Sequence, residues 1–575
     1  MPTARRALFG LTAVILGSCM DSAQSPPGRP EQPSTEAPHG SNPKPVDLVY
    51  VCGNKFLATN GTTSAVHVTY RVAGTQETGG LTLREGTGGD PGYSETELET
   101  TNAGSVELYQ DNERVVTRQN EQVPCGTSAI SAAVAAAGTE ATTGRWSAPF
   151  AWPIIGVHLH LLRNGKVLSW GKFGQPYVWT PSTNAFTAFP SSDWLFCSGH
   201  TFLSDGRLLV NGGHISDHYG LRDANTFNPG TMAWEARPSM AKGRWYPTTT
   251  TLANGKAVTI SGEQNGVLVS VPEVWTGSGW RSLSSASRVL PNYPRTFLAP
   301  NGKVFYAGEN RSTAYLSTSG SGSWSTVGSR RYGTRDYGSA VMYQPGKVLF
   351  VGGGRTTNTA EIIDLNQASP TWQWTGSMAY ARRHLNATIL PTGQVLVTGG
   401  SSGTGFSDEA RAVYPAELWN PRTGTWTTLA SNSVARVYHS TALLLKDGRV
   451  LLTGSGDADG SVNHFDAELF SPPYLFNGTR PKISSAPSTV GYGQSFFVET
   501  PQAASITRVT WVRLGSVTHA FDSNQRFNEL SFTRTSTGLN VTPPGSRNVA
   551  PPGHYMLFIL NGKEVPSVAR VVRIR

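Results

Sequence analysis

Six side chains that can bind a metal or take part in redox chemistry occupy one equivalent position in a repeated sequence phrase. Each lies nine residues before a turn glycine, and the six are Cys197, Tyr246, Tyr293, Tyr337, His384 and His439. Tyr438 directly precedes His439, and the seventh equivalent position holds Gly156. Imidazole nitrogen and phenolate oxygen in a roughly square arrangement suit Cu(II), whereas zinc more often takes thiolate or carboxylate in a tetrahedron. The residue types therefore favour copper over zinc.

The phrase that contains them is a hydrophobic run, a turn built on Asn-Gly, Asp-Gly or a close relative, and a second hydrophobic run. It recurs seven times at intervals of 41 to 55 residues, with turn glycines Gly165, Gly206, Gly255, Gly302, Gly346, Gly393 and Gly448. A β-unit repeated at that period predicts a seven-bladed propeller of the kelch type. At about 3.3 Å per residue, nine residues run the height of a blade. We therefore expect the six side chains to converge at the mouth opposite the turns.

One copper ion exchanges one electron, so the two-electron oxidation of an alcohol needs a second redox partner. An electron-rich tyrosine is a candidate, and a thiol placed beside it can modify it. The alternative is structural, because propeller axes are often lined by tyrosine and histidine that hydrogen-bond only to one another and to water. That alternative is the stronger explanation for any single residue. It accounts less well for a set that combines a free Cys197 with the Tyr438–His439 pair.

Length and composition predict an all-β chain of several domains. The 575 residues exceed what one core accommodates, and 63 glycines, 37 prolines and only 15% charged residues suit many short strands joined by tight turns. The repeats place the seven-bladed kelch-type β-propeller at 145–472. Alternating apolar and polar residues predict an immunoglobulin-like β-sandwich at 480–575 and a small β-sandwich at 46–135.

The first residues indicate an exported protein. Residues 1–19 begin with two arginines, continue with an apolar run too short to span a bilayer, and end in Leu-Gly-Ser-Cys at Cys19. That ending resembles a bacterial lipobox, so Cys19 is a candidate for lipidation; the alternative is an ordinary signal with a coincidental cysteine. Residues 20–45 are rich in Pro, Ser and Gly, as in a tether. We expect a protein that is secreted or lipid-anchored at the bacterial cell envelope.

The remaining cysteines fit an oxidising compartment. Cys52 and Cys125 bracket the strands of the small N-terminal domain, and we expect them to form one disulfide. Cys197 then has no partner, which needs an explanation in an exported protein.

The combination of several motifs resembles the radical copper oxidases, the galactose oxidase and glyoxal oxidase family. The resemblance extends over 145–575. Its motifs are FCSGH around Cys197, RWYPT around Tyr246, RVYHS around Tyr438 and His439, NHFDAELFSPPYL from Asn463 to Leu475, and THAFDSNQR from Thr518 to Arg526. Each motif is weak alone, and the set is specific.

The resemblance implies one copper ion and a protein-derived cofactor. Cys197 and Tyr246 match the pair that forms a thioether cross-link, and Tyr246 would then be an equatorial ligand and the site of the radical. Tyr438 matches the axial tyrosine that accepts the substrate's proton. His439 and His519 match the two histidine ligands, with His519 on a hairpin of the final domain that enters the propeller axis.

Some positions depart from the family pattern. The tryptophan that stacks on the cross-linked tyrosine in galactose oxidase falls at Gln264 here, and the sugar-binding arginine falls at Val289. The Tyr-Gln pair after the fifth hairpin is replaced at 355–357, so galactose is not the expected substrate. Glyoxal oxidases take the stacking tryptophan from another part of the chain. The candidates here are Trp146, ranked first, and Trp194.

Two main functions follow from these features. The first is an extracytoplasmic copper radical oxidase that converts a primary alcohol or aldehyde, of small-molecule or carbohydrate-like type, with O2 to the aldehyde or acid and H2O2. The second is a non-catalytic kelch surface protein that binds a polysaccharide or another protein. A hydrolase is a weaker third, because the equivalent positions carry no acidic residue.

The net charge of +9 is scattered and no nucleic-acid motif accompanies it, so we expect no nucleic-acid partner. A monomer is expected, with membrane contact only through a lipid anchor.

Overall fold

The computed structural model describes residues 46–52, 54–60, 62, 64–84, 94–120, 140–458 and 460–575. The export signal with Cys19, the 20–45 segment and Cys125 lie outside these residues. Lipidation and the disulfide to Cys52 therefore stay predictions. Within the described part of the chain, no helix is both long and apolar enough to span a membrane.

The middle of the chain forms seven small antiparallel sheets, which are the blades of a propeller, numbered here in chain order. In blades 1 to 6, four successive main strands lie side by side, and the first of them is innermost. Blade 1 has His158–Leu161, Val167–Trp170, Tyr177–Thr180 and Ala185–Ala188; blade 2 has Gly199–Phe202, Leu208–Asn211, Ala224–Asn228 and Ala233–Arg237; blade 3 has Thr248–Thr251, Ala257–Ile260, Glu273–Trp275 and Trp280–Ser282. Blade 4 has Thr296–Leu298, Val304–Tyr306, Ser312–Ser317 and Ser323–Ser329; blade 5 has Ser339–Gln344, Lys347–Val351, Ala360–Asp364 and Trp372–Thr375; blade 6 has Asn386–Ile389, Val395–Thr398, Pro415–Asn420 and Thr425–Ser431.

Blade 7 joins the two ends of the propeller. Its strands Ser440–Leu444, Val450–Gly454 and Asp466–Ser471 come from the end of the repeat region. The outer position is filled by Arg145–Trp146 and Phe150–Ala151, which pair with the third strand. The first and last parts of the propeller are thus hydrogen-bonded in one sheet, and the ring closes. The predicted all-β class and the seven blades are confirmed.

Strands before the propeller form two sheets around a shared apolar core. One sheet contains Val46–Cys52, Lys55–Asn60 and Ser94–Glu99, and the other contains Thr78–Leu83, Val66–Val72, Val106–Gln110 and Glu113–Arg118. Two short hairpins extend the propeller loops, His214–Ser216 with Tyr219–Gly220 in blade 2 and Glu263–Gln264 with Val267–Leu268 in blade 3. The short 3-10 turns are Glu409–Arg411, Pro473–Phe476 and Ala503–Ser505.

The final domain is a β-sandwich that sends one hairpin into the propeller. Its strands are Thr489–Val490, Phe496–Glu499, Ile506–Arg513, Phe527–Arg534, Gly538–Thr542, Gly553–Asn561 and Arg570–Ile574. Between Ile506–Arg513 and Phe527–Arg534 the chain forms the axial hairpin, whose strands are Ser516–Thr518 and Phe521–Asp522. Ser516–Thr518 pairs with the innermost strand of blade 1, so this hairpin lies on the propeller axis.

Four blades repeat a buried Arg–Glu ion pair. The arginine lies two residues before Tyr246, Tyr337, His384 or Tyr438, and the glutamate lies on the third strand of the same blade. The pairs are Arg244–Glu273 at 2.9 Å, Arg335–Glu361 at 2.9 Å, Arg382–Glu417 at 2.6 Å and Arg436–Glu468 at 3.6 Å.

Each arginine also donates to a carbonyl at the end of the second strand, on Ser261, Gly352, Gly399 or Gly454. Each glutamate accepts a backbone N–H from the segment that leads to the axis, from Ala241, Arg331, Ala379 or Ser433. The pair thereby fixes the path by which each segment reaches the axis.

We predict that Glu417→Gln destabilises the protein although blade 6 contributes none of the proposed ligands. The change leaves the Arg382 guanidinium, which is fully buried, without a counter-ion. Removing one partner of a buried pair costs about 3–5 kcal/mol, because the remaining charge stays desolvated. The free energy of unfolding in urea measures it. Glu235→Gln, at an exposed pair with Arg237, is the matched control and should change stability little. Equal stability of the two variants would contradict a supporting role for these pairs.

Candidate metal centre

The six equivalent residues share an unusual backbone conformation. Their φ angles are 61° at Cys197, 65° at Tyr246, 45° at Tyr293, 52° at Tyr337, 60° at His384 and 66° at His439. This left-handed region is disfavoured for residues with a Cβ and costs about 1–3 kcal/mol at each position. Backbone hydrogen bonds join these positions in neighbouring blades: the N–H of Tyr246 donates to the carbonyl of Cys197 at 2.9 Å, that of Tyr293 to Tyr246 at 2.8 Å, and that of His384 to Tyr337 at 2.9 Å. The bend therefore recurs at the mouth of the axis in six blades.

Two phenols meet at this mouth. The hydroxyl oxygens of Tyr246 and Tyr438 are 2.7 Å apart and hydrogen-bonded, and both side chains are buried. Burial raises the pKa of Tyr246 and of Tyr438 well above the usual value for tyrosine. Both phenols are thus protonated at neutral pH unless a positive charge lies beside them.

The axial hairpin brings His519 next to His439. Their ring centroids are 4.6 Å apart with an angle of 82° between the planes. His439 Nδ1 lies 2.6 Å from the carbonyl of Gly456 and therefore donates to it. The Thr518 hydroxyl donates to the carbonyl of Val157 at 3.0 Å, so its oxygen accepts from His519 Nδ1 at 2.6 Å. Both rings consequently carry their lone pair on Nε2.

Neither Nε2 has a hydrogen-bond partner among the described residues, although both atoms are buried. Burial lowers the pKa of His439 to about 3 and that of His519 well below the usual value, so both rings are neutral. Buried polar atoms without a partner are uncommon and need an explanation. Two neutral imidazoles with free Nε2 atoms, whose Nδ1 atoms are held by hydrogen bonds, fit the usual arrangement of histidine metal ligands.

The axial hairpin is fixed from several sides. Asp522 accepts the backbone N–H groups of Ser516, Asn524 and Gln525 at 2.9–3.0 Å, and burial raises its pKa to about 6. Arg295 of blade 4 donates to the carbonyl of His519 at 3.3 Å, and Ser339 of blade 5 donates to that of Ala520 at 2.6 Å. The position of His519 is therefore set jointly by the final domain and the propeller.

Cys197 lies in the same apolar cluster as Tyr246, Tyr293 and Trp245. It is fully buried and takes part in no disulfide. Burial raises the pKa of its thiol well above the usual value, so the group is a neutral thiol rather than a ready anionic ligand. Its contact with Tyr246 is consistent with modification of that ring.

The rings of Trp245 and Tyr293 stack on Tyr246, with Trp245 the nearer of the two, so the expectation of Trp146 or Trp194 is wrong. The rings of Trp245 and Tyr246 are 3.8 Å apart and within 7° of parallel. Successive side chains of a strand point to opposite faces, but the left-handed bend at Tyr246 allows these two to overlap. A pair of backbone hydrogen bonds to Glu263 holds Trp245 in place.

The two rejected candidates have other roles. Trp146 packs on Phe470 at 4.8 Å in the closing strand of blade 7 and donates to the carbonyl of Ala430. Trp194 lies against His214 at 4.5 Å and donates to the carbonyl of Lys172. Trp245 is the tryptophan of the RWYPT motif. The motif does not by itself indicate that the rings of the two consecutive residues Trp245 and Tyr246 overlap.

A cavity of about 290 Å³ opens on the site. It is lined by Tyr246, Tyr293, Tyr337 and His519 on the axial side and by polar residues such as Glu263 and Glu309 beyond. Among the described residues, no group of three or more His, Cys, Asp or Glu side chains is placed so that it could hold a metal ion. The side chains next to these two histidines are phenols: Tyr246 lies beside His519 and Tyr438 beside His439.

Comparisons with known proteins match the same parts of the chain. The family model for the glyoxal oxidase N-terminus matches 354–474, and the galactose oxidase-like early set domain matches 480–574. Galactose oxidase of Gibberella zeae is 32% identical over 491 residues, which cover 75% of this chain and 70% of the relative. The aldehyde oxidase GLOX of Vitis pseudoreticulata is 30% identical over 434 residues, or 66% of this chain and 82% of the relative. A solved fungal alcohol oxidase of the AA5 family, in complex with copper, matches with a TM-score of 0.70 and 26% identity, over 75% of this chain and all of the other. The resemblance found in the sequence is confirmed.

We predict that Thr518→Val weakens metal binding without unfolding the axial hairpin. The change removes the oxygen that accepts from His519 Nδ1 and leaves the tautomer and ring orientation unset. Loss of such an outer partner typically lowers metal affinity about 10–100-fold. Competition with a chelator for Cu(II) measures the affinity. Thr518→Ser keeps the hydroxyl and should bind as the original chain does; equal affinity of the valine variant would contradict the assignment of His519.

Proposed function

Because the chain belongs to the family of galactose oxidase and glyoxal oxidase, we propose that it is an exported copper radical oxidase. It oxidises a primary alcohol or an aldehyde with O2 to the aldehyde or carboxylic acid and H2O2. The observation that carries the proposal is the meeting of four side chains: the Tyr246 and Tyr438 hydroxyls are 2.7 Å apart, and His439 and His519 each have a buried, unpartnered Nε2.

The residues present fit one copper ion. His439 and His519 would bind it through Nε2, and Tyr246 and Tyr438 through their phenolic oxygens. Two imidazoles and two phenolates are a donor set that Cu(II) accepts. When bound, copper supplies a one-electron acceptor and a positive charge that favours the phenolate forms.

A cross-link between Cys197 and Tyr246 would complete the cofactor. A carbon–sulfur bond forms as the thiol loses its S–H hydrogen and the ring loses one C–H hydrogen. The two hydrogens and their electrons pass to O2, which becomes H2O2. Packing of Cys197 against Tyr246 in one buried cluster supports this step. The indole of Trp245 covers a face of the Tyr246 ring and would shield a radical on it from solvent.

In the reaction, the chain's residues take up both hydrogens of the alcohol. Tyr438, as phenolate, accepts the hydroxyl proton, and the Tyr246 radical accepts the hydrogen atom from the reacting carbon. The substrate, having lost a proton, a hydrogen atom and one further electron, leaves as the aldehyde; a bound copper ion would be the acceptor of that electron. O2 then takes two electrons and two protons and leaves as H2O2. The Tyr438 hydroxyl lies 2.7 Å from that of Tyr246, so the proposed base and the proposed hydrogen-atom acceptor are next to each other.

Export is part of the proposal. The leader at 1–19 supports it, with Cys19 as the site of a lipid anchor at the bacterial cell envelope or, without lipidation, as part of a cleaved signal. A monomer with one copper ion would serve as the catalyst.

We predict that adding Cu(II) under air to protein purified without copper makes it two hydrogen atoms lighter. The reason is the new bond between Cys197 and Tyr246, and mass spectrometry of the intact chain and of its linked peptides measures it. Cys197→Ala should show no change in mass. A Cys197 thiol that still titrates after copper treatment would contradict the proposed cofactor.

We further predict that Tyr438→Phe lowers kcat by about 10²–10⁴, because general-base catalysis contributes a factor of that size. Steady-state peroxide release measures the rate. The mass of the cross-linked peptide should be recorded in the same sample, so that loss of the base is distinguished from loss of the cofactor. Tyr380→Phe, at a residue that is 41% exposed, is the control and should keep the original rate. An unchanged kcat in Tyr438→Phe would exclude it as the base.

A further inference from the structure

One carboxyl group in the cavity beside the site has no hydrogen-bond partner among the described residues. Glu309 follows the second strand of blade 4 and lines the cavity that Tyr246, Tyr337 and His519 also line. Its backbone is fixed at both ends: the N–H donates to the Tyr306 hydroxyl oxygen at 3.2 Å, and the carbonyl accepts the N–H of Arg335 at 2.8 Å. The side chain is thus held at the cavity wall by its backbone alone.

The other charged side chains of the cavity are already satisfied. Arg295 directs its guanidinium to three carbonyls, those of Tyr293 at 2.6 Å, Gly338 at 2.9 Å and His519 at 3.3 Å. Glu263 accepts from Asn292 at 2.5 Å and lies 2.8 Å from His218 Nδ1. Arg295 therefore has little capacity to bind a substrate carboxylate, and Glu263 has little capacity to bind a substrate hydroxyl.

Glu309 differs from both. Burial raises its pKa to about 7 and Asp336 adds to that rise, while the positive charges of Arg295, Arg330 and Arg383 act against it. A buried carboxylate without a hydrogen-bond partner is energetically costly. A ligand that donates hydrogen bonds to it therefore binds more favourably than one that does not. A second anion placed beside it would be repelled.

We propose that Glu309 determines substrate specificity by accepting a hydrogen bond from a hydroxyl or ammonium group at the far end of the alcohol or aldehyde. This inference rests on the proposed oxidase function and names its substrate class: small polyols, sugars and amino alcohols, with hydroxy acids excluded. The cavity of about 290 Å³ has room for about ten water molecules at their liquid volume, which suits a molecule of that size.

The test compares three primary alcohols of equal length that differ at the far end: butane-1,4-diol, 4-amino-1-butanol and 4-hydroxybutanoate. The copper-loaded protein, at a pH well above 7, should give a higher kcat/KM for the diol and the amino alcohol than for the hydroxy acid. In Glu309→Gln the ratio of amino alcohol to hydroxy acid should fall about 10–100-fold, the value of a hydrogen bond to a charged group. Glu309→Asp keeps the charge and should keep the direction of the preference.

Binding of the same alcohols to the copper-free protein, followed by ligand-observed NMR, separates this inference from the oxidase function. If copper-loaded protein oxidises neither these alcohols nor a broad panel of other alcohols, aldehydes and sugars, yet Glu309→Gln abolishes the binding preference, the oxidase function fails and the role of Glu309 stands. If oxidation is normal and Glu309→Gln keeps the original ratios, the role of Glu309 is wrong. Glu235→Gln, on the outer strand of blade 2, is the charge-matched control and should keep both the rates and the preference. Because the Glu309 carboxylate makes no hydrogen bond, Glu309→Gln breaks none, and the variant should still fold.

Discussion

The site depends on a backbone bend with left-handed φ angles, which in six blades places a side chain at the propeller axis. That backbone conformation costs free energy for residues other than glycine, and it persists only where several surrounding contacts hold it in place. Two features do so here: backbone hydrogen bonds between neighbouring bends, and buried Arg–Glu pairs in four blades that hold the segment just before the bend. With the bends fixed, Cys197, Tyr246 and His439 lie at one mouth although they are far apart in the sequence. Trp245 covers Tyr246 as a further consequence of the same bend.

The propeller alone leaves the proposed site incomplete, because its bends supply only one of the two histidines proposed as ligands, His439. The second comes from the final domain on a hairpin that pairs with blade 1 and is held by Arg295 and Ser339 of blades 4 and 5. Such a shared arrangement couples the two domains: the hairpin cannot shift without breaking contacts in the propeller. Side chains that the fold holds in place in this way are suited to electrostatic stabilisation of a charged centre.

Much of the propeller could be predicted from the sequence. The turn glycines align the seven hairpins, and the position nine residues before each glycine contains Cys197, Tyr246 and His439. His519 lies outside the repeat and was accessible only through the family resemblance. The stacking residue was predicted wrongly because the candidates were taken from the family resemblance, which places this tryptophan in another part of the chain. Here Trp245 directly precedes Tyr246, and the bend at Tyr246 brings the two rings together. The role of Glu309 could not be read from the sequence at all, because it depends on which neighbouring charges are already hydrogen-bonded.

The most direct test of a copper radical oxidase is H2O2 release by the copper-loaded chain across a broad panel of alcohols, aldehydes and sugars, with O2 consumption followed in parallel. The proposed site predicts that at least one substrate class gives peroxide in equal amount to the O2 consumed. It also predicts none from the copper-free protein. Silence across the whole panel, with copper bound, would contradict the oxidase function and favour a propeller that only binds a polysaccharide or another protein.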